Sequence, residues 1–208
     1  FDELPRALKS LLYYNLGTVQ LYAYVILQEK VYRESALESF KRSIAQQSNM
    51  VEAWVGLGIS CMDVNYKVAQ HCFIRALSLS PKDVDIWYNI AILALKNNDH
   101  EFALEIFAKS QSIAPEQSLP GFGMALALEI SGNANLSAAL FKHSYILSNG
   151  KSKIAELFYA KTVLSERLQT KNSDSRNIES EQDFVAILHC LESYLKKVPD
   201  DVFAVQCS

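Results

Sequence analysis

Metal chelation is the first chemistry that the residue types bring to mind. His71 is followed by Cys72 and His189 by Cys190, with His100, His143, Cys61 and Cys207 elsewhere. Zinc sites gather such ligands at short spacing, as in C-x2-C or H-x3–5-H. Here the two His-Cys pairs stand 118 residues apart. Neighbouring positions on a helix point about 100° apart and cannot close on one ion. No metal or cofactor is therefore expected, and the cysteines read as reduced, small core residues. Phosphate binding fails in the same way. Gly121-Phe122-Gly123 has no Lys-Ser/Thr at P-loop spacing, and Gly56 and Gly58 read as packing contacts. Ser173, Ser175 and Ser180 have acidic neighbours and could accept phosphate, although a plain solvated loop explains them as well. The sequence offers no Ser-His-Asp grouping that can be argued, and the chain is expected not to be an enzyme.

Composition narrows the field further. The 208 residues carry a net charge of −3 and a pI near 5.8, whereas nucleic-acid binders show a basic stripe. Half of the residues are hydrophobic, with 7 Gly and 5 Pro, which argues against a turn-rich β fold and against disorder. The longest apolar run, Gly121 to Leu128, is too short to cross a bilayer. Asp2 and Glu3 do not resemble a cationic leader. These features point to the cytoplasm, with the nucleus also open. Asp201 to Val205 reads as the start of a further helix, so a fragment of a longer chain is expected.

The elements that must position these residues repeat. Phe40, Phe73, Phe107 and Phe141 are spaced by 33, 34 and 34 residues. Ala36, Ala69, Ala103 and Ser137 stand four residues before them, and Ser48, Pro81, Pro115 and Asn149 follow in the same steps. With 10 Phe in 208 residues, three such matches would arise by chance about once in ten thousand. Trp54-x2-Leu57-Gly58-x2-Cys61, then Ala69-x3-Phe73 and Pro81, resembles the tetratricopeptide pattern W-x2-L-G-x2-Y, A-x3-F, P. The spacing predicts an all-α, right-handed superhelix of tetratricopeptide hairpins. Gly58, Ala91 and Ala125 keep the two helices of a hairpin close, and the phenylalanines fill the space between hairpins. Pro81 and Pro115 suit the first turn of the next helix, with Ser80 as a cap.

The predicted layout places the end of a preceding unit at 6–15 and hairpins at 17–48, 51–80, 84–114 and 119–148. An irregular fifth hairpin spans 152–199 around a polar loop at 169–182, with Ser180-x-x-Asp183 as a cap. Residues 200–208 begin another unit. No hairpin buries its own apolar face, so stacking supplies the core.

The first helices of such an array line its inner wall. Counting one and five residues past each Trp-equivalent predicts a partner-binding stripe of Leu21 and Val25, Val55 and Ile59, Tyr88 and Ile92, then Phe122 and Leu126. Asn89 is a polar point within it, and Met62 and Leu95 extend it. An apolar stripe of this kind suits an amphipathic helix or extended apolar segment. The alternative is that some of these side chains only close the gap between hairpins. The Lys, Arg and Asn that would clamp a terminal carboxylate are missing, so no small-molecule or carboxylate ligand is expected.

Ala53-Trp54-Val55-Gly56-Leu57-Gly58 and Ala69-Gln70-His71-Cys72-Phe73-Ile74 carry more than the generic repeat. With Phe107 to Ser112, Pro115 and Phe122 to Ala127, they resemble the large tetratricopeptide scaffold subunits of the superkiller (Ski) complexes. The specific likeness covers about residues 51–130, and Gly121 stands where that family has Trp. The resemblance implies protein partners, namely a DExH-box RNA helicase and WD40-propeller subunits. It implies a role in exosome-mediated 3′-to-5′ decay of cytoplasmic mRNA, with no catalysis in the scaffold itself. Another tetratricopeptide adaptor, or the substrate-recognition arm of an enzyme, remains open.

Overall fold

Short polar turns cut the apolar pattern into nine helices, with no strand, among the described residues, 4–170, of the computed structural model; side chains are described to Ser165. The helices are α1 (Arg6–Leu27), α2 (Lys30–Gln46), α3 (Val51–Cys61), α4 (Tyr66–Leu79) and α5 (Val84–Lys96). They continue with α6 (His100–Ile113), α7 (Ser118–Ile130), α8 (Ala134–Ser148) and α9 (Lys153–Thr170). The second helix of the fifth hairpin, Ser180, Asp183, His189, Cys190, Cys207 and residues 200–208 lie outside the described residues. Residues 169 and 170, predicted to lie in the loop, belong to α9 instead. The chain divides into two units, Phe1–Ile106 and Phe107–Ser208, with the border inside α6.

In the first unit, Phe40 and Phe73 are buried together with Ala36, Ala69, Ile86 and Leu93. The rings need bare backbone opposite them. A Cβ added to Gly56 would lie 2.5 Å from the Phe40 ring, and one added to Gly58 would lie 2.6 Å from the Phe73 ring. Glycine inside a helix costs about 1 kcal/mol relative to alanine, and here that cost lets a fully buried ring sit directly on the helix backbone. In the second unit Phe141 and Ala125 are buried, and Phe158 closes over Phe141 with ring centroids 5.2 Å apart.

The first hairpin departs from the predicted layout. Residues 6–15 do not end a preceding unit: α1 runs unbroken from Arg6 to Leu27, since no Pro or αL position interrupts its apolar periodicity. Gly17 sits on the Phe40 ring, at 2.9 Å from an added Cβ, as Gly58 sits on Phe73. The matching motif is therefore Tyr13-x2-Leu16-Gly17-x2-Gln20. It precedes its counterpart in α3 by 41 residues, whereas Phe40 precedes Phe73 by 33. Two further contacts repeat in this register. Arg42 lies over the Tyr13 ring as Arg75 lies over Trp54. Ser39 Oγ donates to Gln20 Oε1 at 2.7 Å, at the positions matching Cys72 and Cys61. Eight extra residues, about one helical turn on each of the two helices, thus lengthen the free end of the hairpin.

The turns also differ in detail. Ser80 closes α4 instead of opening α5, and the cap of α5 is Asp83, whose Oδ1 accepts from Asp85 N at 3.0 Å. Pro81 and Pro115 precede α5 and α7 by three residues and so do not form their first turns. Their value lies in the carbonyls. Trp54 Nε1 donates to Ser48 O at 2.8 Å, and Trp87 Nε1 donates to Pro81 O at 2.9 Å. In the second unit Gly121 replaces the Trp, and Gln111 takes over, with Nε2 donating to Pro115 O at 2.8 Å and to Gln117 O at 3.2 Å. Gly121 leaves room for this amide, since an added Cβ would come within 3.3 Å of Gln111 Oε1 and 2.9 Å of Ser144 Oγ.

Candidate binding surfaces

The predicted stripe is only partly open. Ile59 and Val25 are exposed, whereas Val55 and Leu21 pack half-buried against the core of the first unit, as does Met62. Leu21 and Val25 do not match Val55 and Ile59 by position. In the register set by Gly17, the counterparts are Tyr14 and Thr18. Leu21 follows Tyr14 by seven residues, about two turns, and so lies on the same helix face nearer the hairpin end. Tyr14 leans on Phe40, with ring centroids 6.2 Å apart.

In α5, Tyr88, Asn89 and Ile92 are all half-buried. Burial pushes the Tyr88 phenol above its usual range. Asn89 turns its amide inward, with Nδ2 donating to Asp85 O at 2.8 Å. Leu95, on the same helix, is half-buried.

Phe122 is not a wall residue. It is 7 % exposed, and its ring lies edge-on to Phe158 at 5.1 Å and tilted against Phe141 at 5.5 Å. Leu126 packs against the same cluster. The reason is α9, whose Phe158 turns inward and closes over this part of α7.

A second surface was not foreseen. Tyr66, Gln70, Ile74, Trp87, Phe102 and Ile106 line a largely apolar cleft of about 170 Å³ between α4, α5 and α6 in the first unit. The sequence did hold a signal for it, because Ile74 with Leu77 and Phe102 with Ile106 recur at helical spacing, and Ile74 and Phe102 are exposed. The cleft offers shape and apolar contact but no cluster of titratable groups.

His71 and Cys72 point apart as adjacent helix positions must. His71 is exposed and stands edge-on to Trp54 at 6.2 Å, while Cys72 is buried. Burial raises the Cys72 thiol from 9.0 to about 11, with Cys61 nearby adding to the effect, and burial also raises Cys61. Among the described residues no group of three His, Cys, Asp or Glu side chains could hold a metal ion, and no helix is long and apolar enough to cross a membrane.

Residues 72–105 match the model of a tetratricopeptide-repeat family. The whole chain is 45% identical to a stretch of Superkiller protein 3 of Saccharomyces cerevisiae, spanning 14% of that protein. Over 138 residues, 64% of the chain, it is 30% identical to 9% of Superkiller complex protein 3 of Mus musculus. A more distant likeness, 25% over 105 residues and half of the chain, joins it to 12% of the human protein O-mannosyl-transferase TMTC3. Among solved structures, a thermophilic tetratricopeptide protein of Thermus thermophilus matches with a TM-score of 0.65 at 15% identity, over 92% of this chain and 96% of that one. That likeness bears on the fold alone.

Proposed function

We propose that this chain, a tetratricopeptide-repeat array related along its whole length to part of Superkiller protein 3, is a non-catalytic scaffold segment that holds other proteins. The observation that carries the reading is identity of 45% sustained over all 208 residues, well beyond the repeat motif itself. The physical character of the surfaces supports it. They consist of exposed and half-buried apolar side chains, such as Ile59, Tyr88 and Ile92, without convergent acid, base, nucleophile or metal ligands among the described residues. Such surfaces bind by shape and desolvation.

The partners in this reading are a DExH-box RNA helicase and WD40-propeller subunits, and the setting is cytoplasmic, exosome-linked 3′-to-5′ mRNA decay. ATP hydrolysis and RNA handling fall to the partners, in keeping with the chain's net charge of −3. The test is a titration of the chain with each purified partner, repeated with Tyr88→Asp and Ile92→Asp. Burying one such side chain on binding is worth about 1.5–3 kcal/mol before costs, so each variant should weaken binding about tenfold or more. Helical content should be unchanged. Loss of helicity would mark both residues as core, and failure of the parent chain to bind either partner would sink the scaffold assignment.

The likeness to TMTC3 supports a second reading, the recognition arm of a transferase. That reading requires a catalytic domain elsewhere in the same polypeptide, which the full-length coding sequence would reveal.

A further inference from the structure

The cleft between α4, α5 and α6 is bounded apolar surface. Tyr66, Gln70 and Ile74 of α4 face Phe102 and Ile106 of α6, with Trp87 of α5 between them. No residue of the predicted stripe lines it. Helices precede and follow these three in the chain, so the cleft is not a cut end of the array. Nor does it continue toward the preceding hairpin. In the register of the phenylalanines, Tyr66 and Ile74 correspond to Arg33 and Lys41 of α2, two cations where the cleft is apolar.

Charge is segregated across the cleft. One position past Tyr66, Gln70 and Ile74 stand Lys67, His71 and Arg75, all exposed, and α4 has no acidic residue. One position before Phe102 and Ile106 stand Glu101 and Glu105, also exposed. The first Lys or Arg of α6 is Lys109, beyond the last lining residue. The order is mirrored because each helix buries its other flank. Ala69 and Phe73 precede Gln70 and Ile74, whereas Ala103 follows Phe102, and all three are buried. Arg75 lies over the Trp54 ring, and among the described residues Lys67, Glu101 and Glu105 form no ion pair. One lip of the cleft is therefore basic and the other acidic.

We propose that this cleft receives an amphipathic helix of a different protein, with acidic residues along one edge of its apolar stripe and basic residues along the other. The proposal rests on the scaffold reading above and adds the chemistry of a partner. An apolar stripe on a helix has two edges, and each can meet its own lip. A strand turns its side chains to two opposite faces, so one set enters the cleft and the other points to solvent. The acidic edge of the guest lies along α4 and the basic edge along α6. From Tyr66 to Leu77 the α4 wall is about 17 Å long, or about three turns of a guest helix. A guest edged by one sign alone meets like charge at one lip.

The test uses synthetic helical peptides of about four turns, alike in their apolar residues. One carries Glu along one edge and Lys along the other, and two controls carry Glu on both edges or Lys on both. Fluorescence anisotropy reads binding. The parent chain should bind the mixed peptide at least tenfold more tightly than either control, and added salt should narrow the gap. Lys67→Glu with Arg75→Glu makes both lips acidic and should shift the preference to the peptide with Lys on both edges. Ile74→Ser with Phe102→Ser should weaken the mixed peptide at least tenfold. Circular dichroism of both variants should match the parent. Equal binding of the three peptides by the parent, or a preference unmoved by the charge reversal, would overturn the proposal. So would undiminished binding of a mixed peptide broken by a central proline, because the guest would then not be a helix. A parent dimer abolished by Ile74→Ser with Phe102→Ser would give the cleft to a second copy and overturn the choice of a different protein. If no peptide binds while the parent binds a purified helicase or propeller protein, this inference falls and the scaffold reading stands. If the parent binds neither peptides nor those proteins, both fall.

Discussion

Gly58→Ala offers a direct measure of how tightly the repeat is packed. On helix propensity alone the change should stabilise α3 by about 1 kcal/mol. The structure reverses the sign. The new methyl would lie 2.6 Å from one carbon of the Phe73 ring and 2.9 Å from two others, against an ordinary contact of 3.4–4 Å. Relief requires a shift of roughly 1 Å, and Phe73 has no exposed side toward which to move. Overpacking of this kind costs about 1–3 kcal/mol, so the net effect is a loss of about 1 kcal/mol. Phe73→Leu alone should also destabilise, by about 1–2 kcal/mol, as part of the ring volume is lost. In the double variant the leucine makes room for the methyl, and Gly58→Ala should then be neutral or stabilising. The coupling between the two sites should reach about 1–2 kcal/mol. Urea unfolding followed by tryptophan fluorescence is suited to this, since Trp54 and Trp87 both lie in the first unit. Additive effects, or a gain in stability from Gly58→Ala alone, would refute the claim that ring-on-backbone contact sets the position.

Two further outcomes follow from the same geometry. Stability should fall with rising alkalinity through the buried thiols. Below pH 9 both states hold the Cys72 proton and it contributes nothing, but between about 9 and 11 the unfolded thiol ionises while the folded one does not. The resulting loss approaches about 3 kcal/mol at the upper end, so melting curves of parent and Cys72→Ala should converge as the pH rises, and parallel pH profiles would contradict this. Trp87→Phe removes the tie to Pro81 O, and Gln111→Ala removes the ties to Pro115 O and Gln117 O. Each should cost about 1 kcal/mol in denaturant unfolding, and a null effect of Gln111→Ala would show that the amide does not stand in for the missing indole.

The phenylalanine ladder and its alanine partners were legible before any coordinates. A period of 33 or 34 residues leaves few ways to place Phe40, Phe73, Phe107 and Phe141 other than inside a stacked core, and all four are buried. Ala36, Ala69 and Ala103 are buried beside them for the same reason. A fixed period hid the register of the first helix. Its motif, Tyr13-x2-Leu16-Gly17, is plain in the sequence, but it stands eight residues further from Phe40 than the interval in the next hairpin allows. Only the contact of Gly17 with the Phe40 ring shows which residues correspond, and with it that Leu21 and Val25 belong to an extension.

Exposure along the predicted stripe was the other matter left to tertiary structure. Phe122 and Tyr88 occupy equivalent places in the repeat, yet Phe122 is enclosed by Phe158 of α9 while Tyr88 is half-buried. Chain-local periodicity determines which side chains share a helix face, because that depends only on 3.6 residues per turn. Whether the face meets solvent depends on the length and side chains of the helix packed against it. Those are set by another part of the chain, and no local pattern contains them.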